Sequence, residues 1–174
     1  MIRLARPDEY ADLVDIWLEA SLQAHDFIPD AFWRSQRDAM LNHYLPAAEN
    51  WVVEENGQVC GFLSLVENHL AALFIHPDHQ RSGLGRRLLD SAKARHPSLE
   101  LNVYSANTQA VGFYRSAGFE VVAEALDAAT GQLELTLCWG REERIFLADR
   151  PTVCFSDLPR EAQDHVYGAA LGMV

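Results

Sequence analysis

The most constraining feature of this chain is a glycine-rich turn between an apolar run and an amphipathic segment. Residues 80–85 read Gln-Arg-Ser-Gly-Leu-Gly, the apolar run before them spans 70–75, and helical spacing of apolar residues continues from 84 to 95. A strand, a glycine-rich turn and a helix in this order direct backbone N–H groups toward a phosphate. Glycine also permits positive φ and the close approach of a ligand. The pattern therefore predicts an anion site, although an ordinary helix N-terminus fits the same residues.

Cations surround this turn in an otherwise acidic chain. Three of the 14 Lys and Arg residues of the chain lie here, namely Arg81, Arg86 and Arg87, although the formal net charge of the chain is −11. Arginines beside backbone amides can pair with phosphate oxygens, so the cluster favours a small polyanionic ligand. The spacing matches neither the Gly-x-x-x-x-Gly-Lys-Ser/Thr loop nor the Gly-x-Gly-x-x-Gly loop with its ribose-binding acid, which excludes those two phosphate-binding sites.

A second motif follows the amphipathic segment. From Asn107 the chain reads Asn-Thr-Gln-Ala-Val-Gly-Phe-Tyr, and it reaches Gly-Phe at 118–119. Together with Gln-x-x-Gly-x-Gly at 80–85, this pattern resembles the GCN5-related N-acetyltransferase (GNAT) family over roughly residues 1–139. The resemblance implies an α+β fold: a central mixed, mostly antiparallel twisted sheet flanked by helices, with a splayed parallel strand pair at the acetyl-CoA site.

Hydrophobic periodicity and turn residues divide the chain into strands and helices. The predicted strands span 2–5, 51–54, 58–66, 70–75, 99–104, 119–125 and 133–139, and predicted helices begin near Pro7 or span 30–41, 84–95 and 107–117. The strands that flank helix 84–95 should be parallel because a long crossover joins them, and the hairpins should be antiparallel. We expect an N-acetyltransferase domain over 1–139. An extension over 140–174, of unknown role, should pack on this domain or on a dimer partner.

Composition is typical of one globular domain. The chain has 174 residues, of which 49% are hydrophobic and 22% are charged. This length and this hydrophobic content suffice to bury a sizeable core. No apolar stretch approaches the length of a membrane span and no signal-peptide pattern is present, so we expect a cytoplasmic protein without a membrane partner. Three widely spaced cysteines suit a reducing compartment. A pI of about 4.9 and a single lysine, Lys93, disfavour nucleic-acid binding.

Two histidines near the glycine-rich turn raise the question of a metal. His76 and His79 flank a proline turn, and the sequence offers no third ligand close to them. We therefore expect two exposed loop histidines and no metal site.

The resemblance implies that acetyl-CoA is the cofactor and that both motifs contact it. Backbone groups of strand 70–75 would bind the pantetheine and polarise the thioester carbonyl, and the glycine-rich turn would hold the pyrophosphate. The implied cofactor-binding residues are Leu73, Phe74, Ile75, Gln80, Arg81, Ser82, Gly83, Leu84, Gly85, Arg86, Asn107, Phe113 and Tyr114. Asn107 is also a favoured N-cap residue for the helix that follows it.

Acetyl transfer to an amine requires an acid for the leaving thiolate and a base for the ammonium. Tyr114 is the candidate general acid that the resemblance implies, although a tyrosine at helical spacing also fits a core position. Glu67 and His69 are candidate bases beside the entering strand, and both also fit solvent-facing edge positions.

The acceptor site is the least specified part of the sequence. The resemblance implies that the loop after the first helix lines it, which makes His25 a candidate substrate-binding residue. Trp33 and Tyr44 are further pocket candidates that also fit core packing. The predicted function is N-acetylation of a primary amine of a small molecule or peptide by direct attack, and a homodimer is a further expectation. The alternative is a non-catalytic acyl-CoA-binding sensor or interaction module with the same fold.

Overall fold

The structure is a computed structural model that describes residues 1–24, 28–128 and 130–140. Its strands are β1 (Ile2–Leu4), β2 (Glu49–Glu55), β3 (Gln58–Val66), β4 (His69–Ile75), β5 (Leu99–Tyr104), β6 (Glu120–Leu126) and β7 (Leu133–Trp139). They form one sheet in the order β1-β2-β3-β4-β5-β7-β6. Neighbouring strands are antiparallel except β4 and β5, which are parallel. The predicted mixed sheet with one parallel pair is confirmed.

Helices cover both faces of this sheet. They are α1 (Tyr10–Ala24), α2 (Asp30–Ser35), α3 (Arg37–Ala39), α4 (Leu45–Ala47), α5 (Leu84–Arg95) and α6 (Thr108–Ser116). On one face, Trp17 of α1 and Trp33 of α2 pack edge to face, with ring centroids 6.0 Å apart, in a cluster that also includes Phe74 and Tyr104. On the other face, α5 and α6 bury a second apolar cluster against β4 and β5.

The predicted second helix is wrong in its continuity and its end. We expected one helix over 30–41 that ends before Tyr44, but α2 ends at Ser35, a wide π turn spans Met40–Tyr44, and α4 extends to Ala47. Pro46 lies in the first turn of α4, where a proline lacks only an N–H that would have no helical partner. The proline therefore continues the helical segment in a new turn and does not end it.

Two expectations fall on parts of the chain outside the described residues. His25 belongs to the segment 25–27, and the extension belongs almost entirely to 141–174. The role of His25 in acceptor binding and the packing of the extension therefore stay predictions.

Candidate active site

The parallel strands β4 and β5 pair only where they begin. His69 is paired with Glu100 and Leu70 with Leu101, and no later pair joins the two strands over the described residues. The register between β3 and β4 also shifts near Ala71, which is a β-bulge. Bulges bend a strand and increase its twist, so β4 and β5 diverge toward their carboxyl ends. This divergence is the splayed pair that the resemblance to the GNAT family implied.

A tight turn follows the diverging end of β4. Gln80 donates a hydrogen bond from its side-chain amide to the carbonyl of Ile75 at 3.0 Å, and the Ser82 hydroxyl donates to the His79 carbonyl at 2.5 Å. Gly83 then adopts φ +82° and caps α5 at its N-terminus. A Cβ at Gly83 would meet no atom within 4 Å, so the space above this residue is open to a ligand.

This turn forms one wall of a cavity of about 220 Å³. The lining residues are Ile75, His79, Arg81, Gly83, Leu84, Gly85, Arg86 and Phe113. The amino end of α5 and the two arginines give this cavity the positive potential that a pyrophosphate requires. Arg87 does not line this cavity, and its guanidinium pairs with Glu55 at 3.1 Å.

The two glycines of the turn differ in backbone conformation. Both could take positive φ, but only Gly83 does so, because Gly85 lies buried in the first turn of α5. The second left-handed residue is instead Arg81, with φ +62°. The glycine that the backbone geometry requires is therefore Gly83.

Helix α6 brings the second motif to the same region. The Asn107 side chain accepts a hydrogen bond from the Ala110 N–H at 3.3 Å, so the predicted N-cap is confirmed. Tyr114, one turn further, is fully buried with its ring edge to face against Phe113 and Phe119, at centroid distances of 5.1 and 5.6 Å. Its hydroxyl has no hydrogen-bond partner among the described residues.

A buried hydroxyl without a partner is unusual, because it loses its hydrogen bonds to water and gains none in return. Burial also raises the pKa of Tyr114 above its ordinary value, so the phenol keeps its proton at neutral pH. Such a group is suited to hydrogen-bond with, or donate a proton to, a ligand atom that reaches it.

The face of β5 that points away from α5 and α6 carries a hydrogen-bonded polar group that the sequence motifs did not reveal. The Tyr104 hydroxyl donates to a carboxylate oxygen of Asp127 at 2.5 Å. The Thr130 hydroxyl lies 3.0 Å from the same carboxylate oxygen and 3.3 Å from the Tyr104 hydroxyl. These contacts join the end of β5 to the turn between β6 and β7.

Glu134 lies beside this group. It is half-buried and is the direct cross-strand partner of Tyr104, and directly opposed residues of antiparallel strands project from the same face. Burial, followed by the nearby negative charge of Asp127, raises the pKa of Glu134 to about 7. In the sequence, Glu134 is merely one polar residue in an alternating strand, so no local signal identified it.

The two predicted bases lie toward the opposite end of β4. Glu67 is exposed in the turn between β3 and β4, with φ +56°. His69 is buried, and burial lowers its pKa to about 4, so the imidazole is neutral at pH 7. Both residues belong to the end where β4 and β5 are still paired, whereas the glycine-rich turn follows the diverging end.

The remaining candidates have mainly structural surroundings. Trp33 is fully buried and Tyr44 is 6% exposed in the cluster beneath α1, which is the core packing that the sequence also allowed. His76 and His79 were both expected to be exposed, but both are half-buried. The His76 imidazole contacts the Glu19 carboxylate at 2.8 Å. No group of three or more metal-binding side chains is present among the described residues.

The described helices also bear on membrane insertion. None of them combines the length and the apolar character that a bilayer crossing would need.

Comparison with known proteins gives a consistent result. The family model for the acetyltransferase (GNAT) domain matches residues 19–131. The peptidyl-lysine N-acetyltransferase YiaC of Escherichia coli is 40% identical over 123 residues, which are 70% of this chain and 84% of YiaC. The peptidyl-lysine N-acetyltransferase YjaB of Escherichia coli is also 40% identical, over 71% of this chain and 84% of YjaB.

Solved structures match over most of the described residues. The solution structure of apo YjaB from Escherichia coli has a TM-score of 0.72 and 36% identity, and it covers 81% of this chain and 98% of YjaB. The structure of YncA from Salmonella typhimurium, determined with acetyl-CoA, has a TM-score of 0.58 and covers 80% of this chain and 92% of YncA. At 22% identity, the YncA match bears on the fold alone.

Proposed function

This chain belongs to the GNAT acetyltransferase family, and we propose that it transfers the acetyl group of acetyl-CoA to the side-chain amine of lysine in proteins. The observation that carries the proposal is the pair of carboxylates, Asp127 and Glu134, on the face of the sheet beside the diverging strands. Carboxylates in a partly buried site favour a cationic acceptor such as lysine. The names of YiaC and YjaB support the same acceptor class.

The donor side of the proposal relies on the cavity at α5. Gly83, Arg81, Arg86 and the amino end of α5 would hold the pyrophosphate of acetyl-CoA, and the strand residues 73–75 would line its pantetheine. The open space above Gly83 and the unpartnered Tyr114 hydroxyl both fit a ligand of this kind. When bound, acetyl-CoA supplies an acetyl group activated as a thioester.

Tyr114 would serve as the general acid. Its raised pKa keeps the phenol protonated, and a positioned phenol can donate its proton to a thiolate as the C–S bond breaks. The apolar packing of Phe113 and Phe119 around its ring would hold the hydroxyl in one direction and exclude water. Removal of this proton donor should therefore slow the chemical step more than it weakens donor binding.

The first test is turnover with a matched peptide pair. Each peptide has a blocked N-terminus and differs only in carrying one lysine or one arginine, and the readouts are free thiol release and peptide mass. We expect the lysine peptide alone to gain an acetyl group. Self-acetylation should add little background, because the single lysine of the chain, Lys93, donates to the Ala117 carbonyl and lies 4.9 Å from the Trp139 ring centroid.

Two other results would separate the alternatives. Acetylation of free amino acids or polyamines, without any of the lysine peptide, would reject the protein acceptor while keeping the acetyltransferase. Binding of acetyl-CoA by calorimetry without turnover on any amine would favour the non-catalytic sensor.

A further inference from the structure

We propose that Glu134 is the general base that takes the proton from the acceptor ammonium before attack. The inference rests on the proposed function, because it concerns the same reaction and the same site. It replaces Glu67 and His69 in that role with a residue of β7.

The register of the sheet brings Glu134 to the level of the reacting group. Extending the pairs His69–Glu100 and Leu70–Leu101 along both strands, with Ala71 taken up as the extra residue of the bulge, places Phe74 level with the end of β5, where Tyr104 is paired with Glu134. Directly opposed side chains have Cβ atoms about 5 Å apart. A carboxylate on β7 is therefore one strand away from the gap between β4 and β5, within reach directly or through one water molecule.

The surroundings of Glu134 suit a base. The groups that face it are the Tyr104 phenol on β5, the Asp127 carboxylate after β6 and the methyl group of Ala125 on β6. No cation among the described residues contributes to its pKa. A group with a pKa of about 7 can accept a proton at neutral pH and release it to solvent afterwards, which is the range that favours general base catalysis.

Asp127 is the other acid in the site, but its carboxylate is already engaged. One oxygen accepts hydrogen bonds from both Tyr104 and Thr130. These bonds fix the direction of the carboxylate, so Asp127 acts as a positioning residue. Its negative charge supports protonation of Glu134 and attraction of the ammonium.

The proton transfers balance as follows. Glu134 takes one proton from the acceptor ammonium, and the neutral amine forms the N–C bond to the thioester carbonyl carbon. The C–S bond breaks, and Tyr114 donates its proton to the departing thiolate. The second proton of the acceptor nitrogen returns to the Tyr114 phenolate through water, and Glu134 releases its proton to solvent, so the reaction yields an amide, free thiol and one proton.

The decisive experiment compares Glu134→Gln with the parent full-length protein, using the lysine peptide and acetyl-CoA between pH 5.5 and 9. We expect kcat/KM of the parent to rise around pH 7, and we expect Glu134→Gln to remove this rise and to lower kcat by about 10²-fold. The Kd for acetyl-CoA should be unchanged, and Glu134→Asp should keep the pH-dependent rise at an intermediate rate. These readouts separate a base from a residue that only supports the fold.

The matched control is Glu124→Gln on the neighbouring strand β6. Glu124 is exposed and is paired with Leu135, so it projects from the opposite face of the sheet to Glu134. The pH dependence of kcat/KM in Glu124→Gln should equal that of the parent.

A stability measurement tests the site without relying on activity. Because the pKa of Glu134 is raised from 4.5 to about 7 in the folded protein, its ionisation opposes folding as pH rises through this range. Glu134→Gln should therefore raise Tm relative to the parent at pH 8 but much less at pH 4.5. An equal difference at both values would contradict the environment on which the inference depends.

The two hypotheses fail in different ways. If the parent acetylates the lysine peptide and Glu134→Gln keeps both its kcat and its pH profile, the base assignment is overturned and the function stands. If the parent acetylates no lysine peptide at any pH, the proposed function is overturned, and the base assignment falls with it.

Discussion

Removal of one oxygen from Tyr114 should make this protein more stable and less active. The hydroxyl is buried without a hydrogen-bond partner among the described residues, and an unsatisfied buried polar group costs about 1–3 kcal/mol. Tyr114→Phe removes that group and leaves the ring contacts with Phe113 and Phe119 in place. In a protein of this size each kcal/mol corresponds to roughly 2–4 °C in Tm, so Tm should rise by about 2–12 °C.

The catalytic effect should have the opposite direction. Loss of a general acid usually lowers kcat by about 10²-fold or more, whereas acetyl-CoA affinity by calorimetry should stay within a factor of about two, or 0.4 kcal/mol. Differential scanning calorimetry of the ligand-free protein and turnover of the lysine peptide measure the two effects separately. The two measurements together test whether this buried hydroxyl lowers the stability of the fold while it raises the rate of acetyl transfer.

Tyr104→Phe is the matched control for this experiment. Tyr104 is equally buried, at 1% exposed, but its hydroxyl donates to Asp127 at 2.5 Å. Losing a hydrogen bond to a charged group costs about 1.5–3 kcal/mol, so this variant should lower Tm. If Tyr114→Phe also lowers Tm, its hydroxyl is satisfied in solution and the reasoning is refuted. If Tyr114→Phe turns over at the parent rate, Tyr114 is not the general acid.

Two further predictions concern the glycine-rich turn and acid stability. Gly83→Val should weaken acetyl-CoA binding at least tenfold, about 1.4 kcal/mol, whereas Gly57→Val, with a similar φ of +77° and equally open space in the β2–β3 hairpin, should cost similar stability without affecting affinity in calorimetry. Glu9 has its pKa lowered from 4.5 to about 2, first by its hydrogen bond from Arg3. Its stabilisation of about 3 kcal/mol is therefore fully present above pH 4.5 and lost as pH falls toward 2. The difference in urea unfolding free energy between the parent and Glu9→Gln should shrink over that range.

The donor side of the site could be predicted from sequence because its signals are local. The turn at Gly83, the helix that starts at Leu84 and the cap at Asn107 each depend on residues adjacent in the chain. Positive φ, helix capping and hydrophobic periodicity are all determined within a few residues. For the same reason the parallel pairing of β4 and β5 could be predicted from the length of the crossover between them.

The acceptor side could not be predicted in this way, because it depends on contacts between distant strands. Glu134 becomes a candidate base only when β7 lies between β5 and β6, next to Tyr104. A chain-order arrangement would instead put β6 beside β5. No local pattern in the sequence distinguishes Glu134 from exposed acids such as Glu124, since both occur in alternating strands.

The bulge in β4 explains why His69 was a plausible candidate base from sequence but lies away from the diverging ends of β4 and β5. Strict alternation along the strand would put His69 on the same face as Leu73 and Ile75. The extra residue at Ala71 reverses this relation, because Leu70, Leu73 and Ile75 all pack in the cluster beneath α5. His69 therefore projects from the opposite face, toward the face that carries Tyr104, but at the end of β4 where the parallel pairing is intact. The bulge that separates β4 from β5 thus leaves His69 buried and neutral at the paired end of the two strands. Glu134 is the carboxylate that lies beside the gap between them.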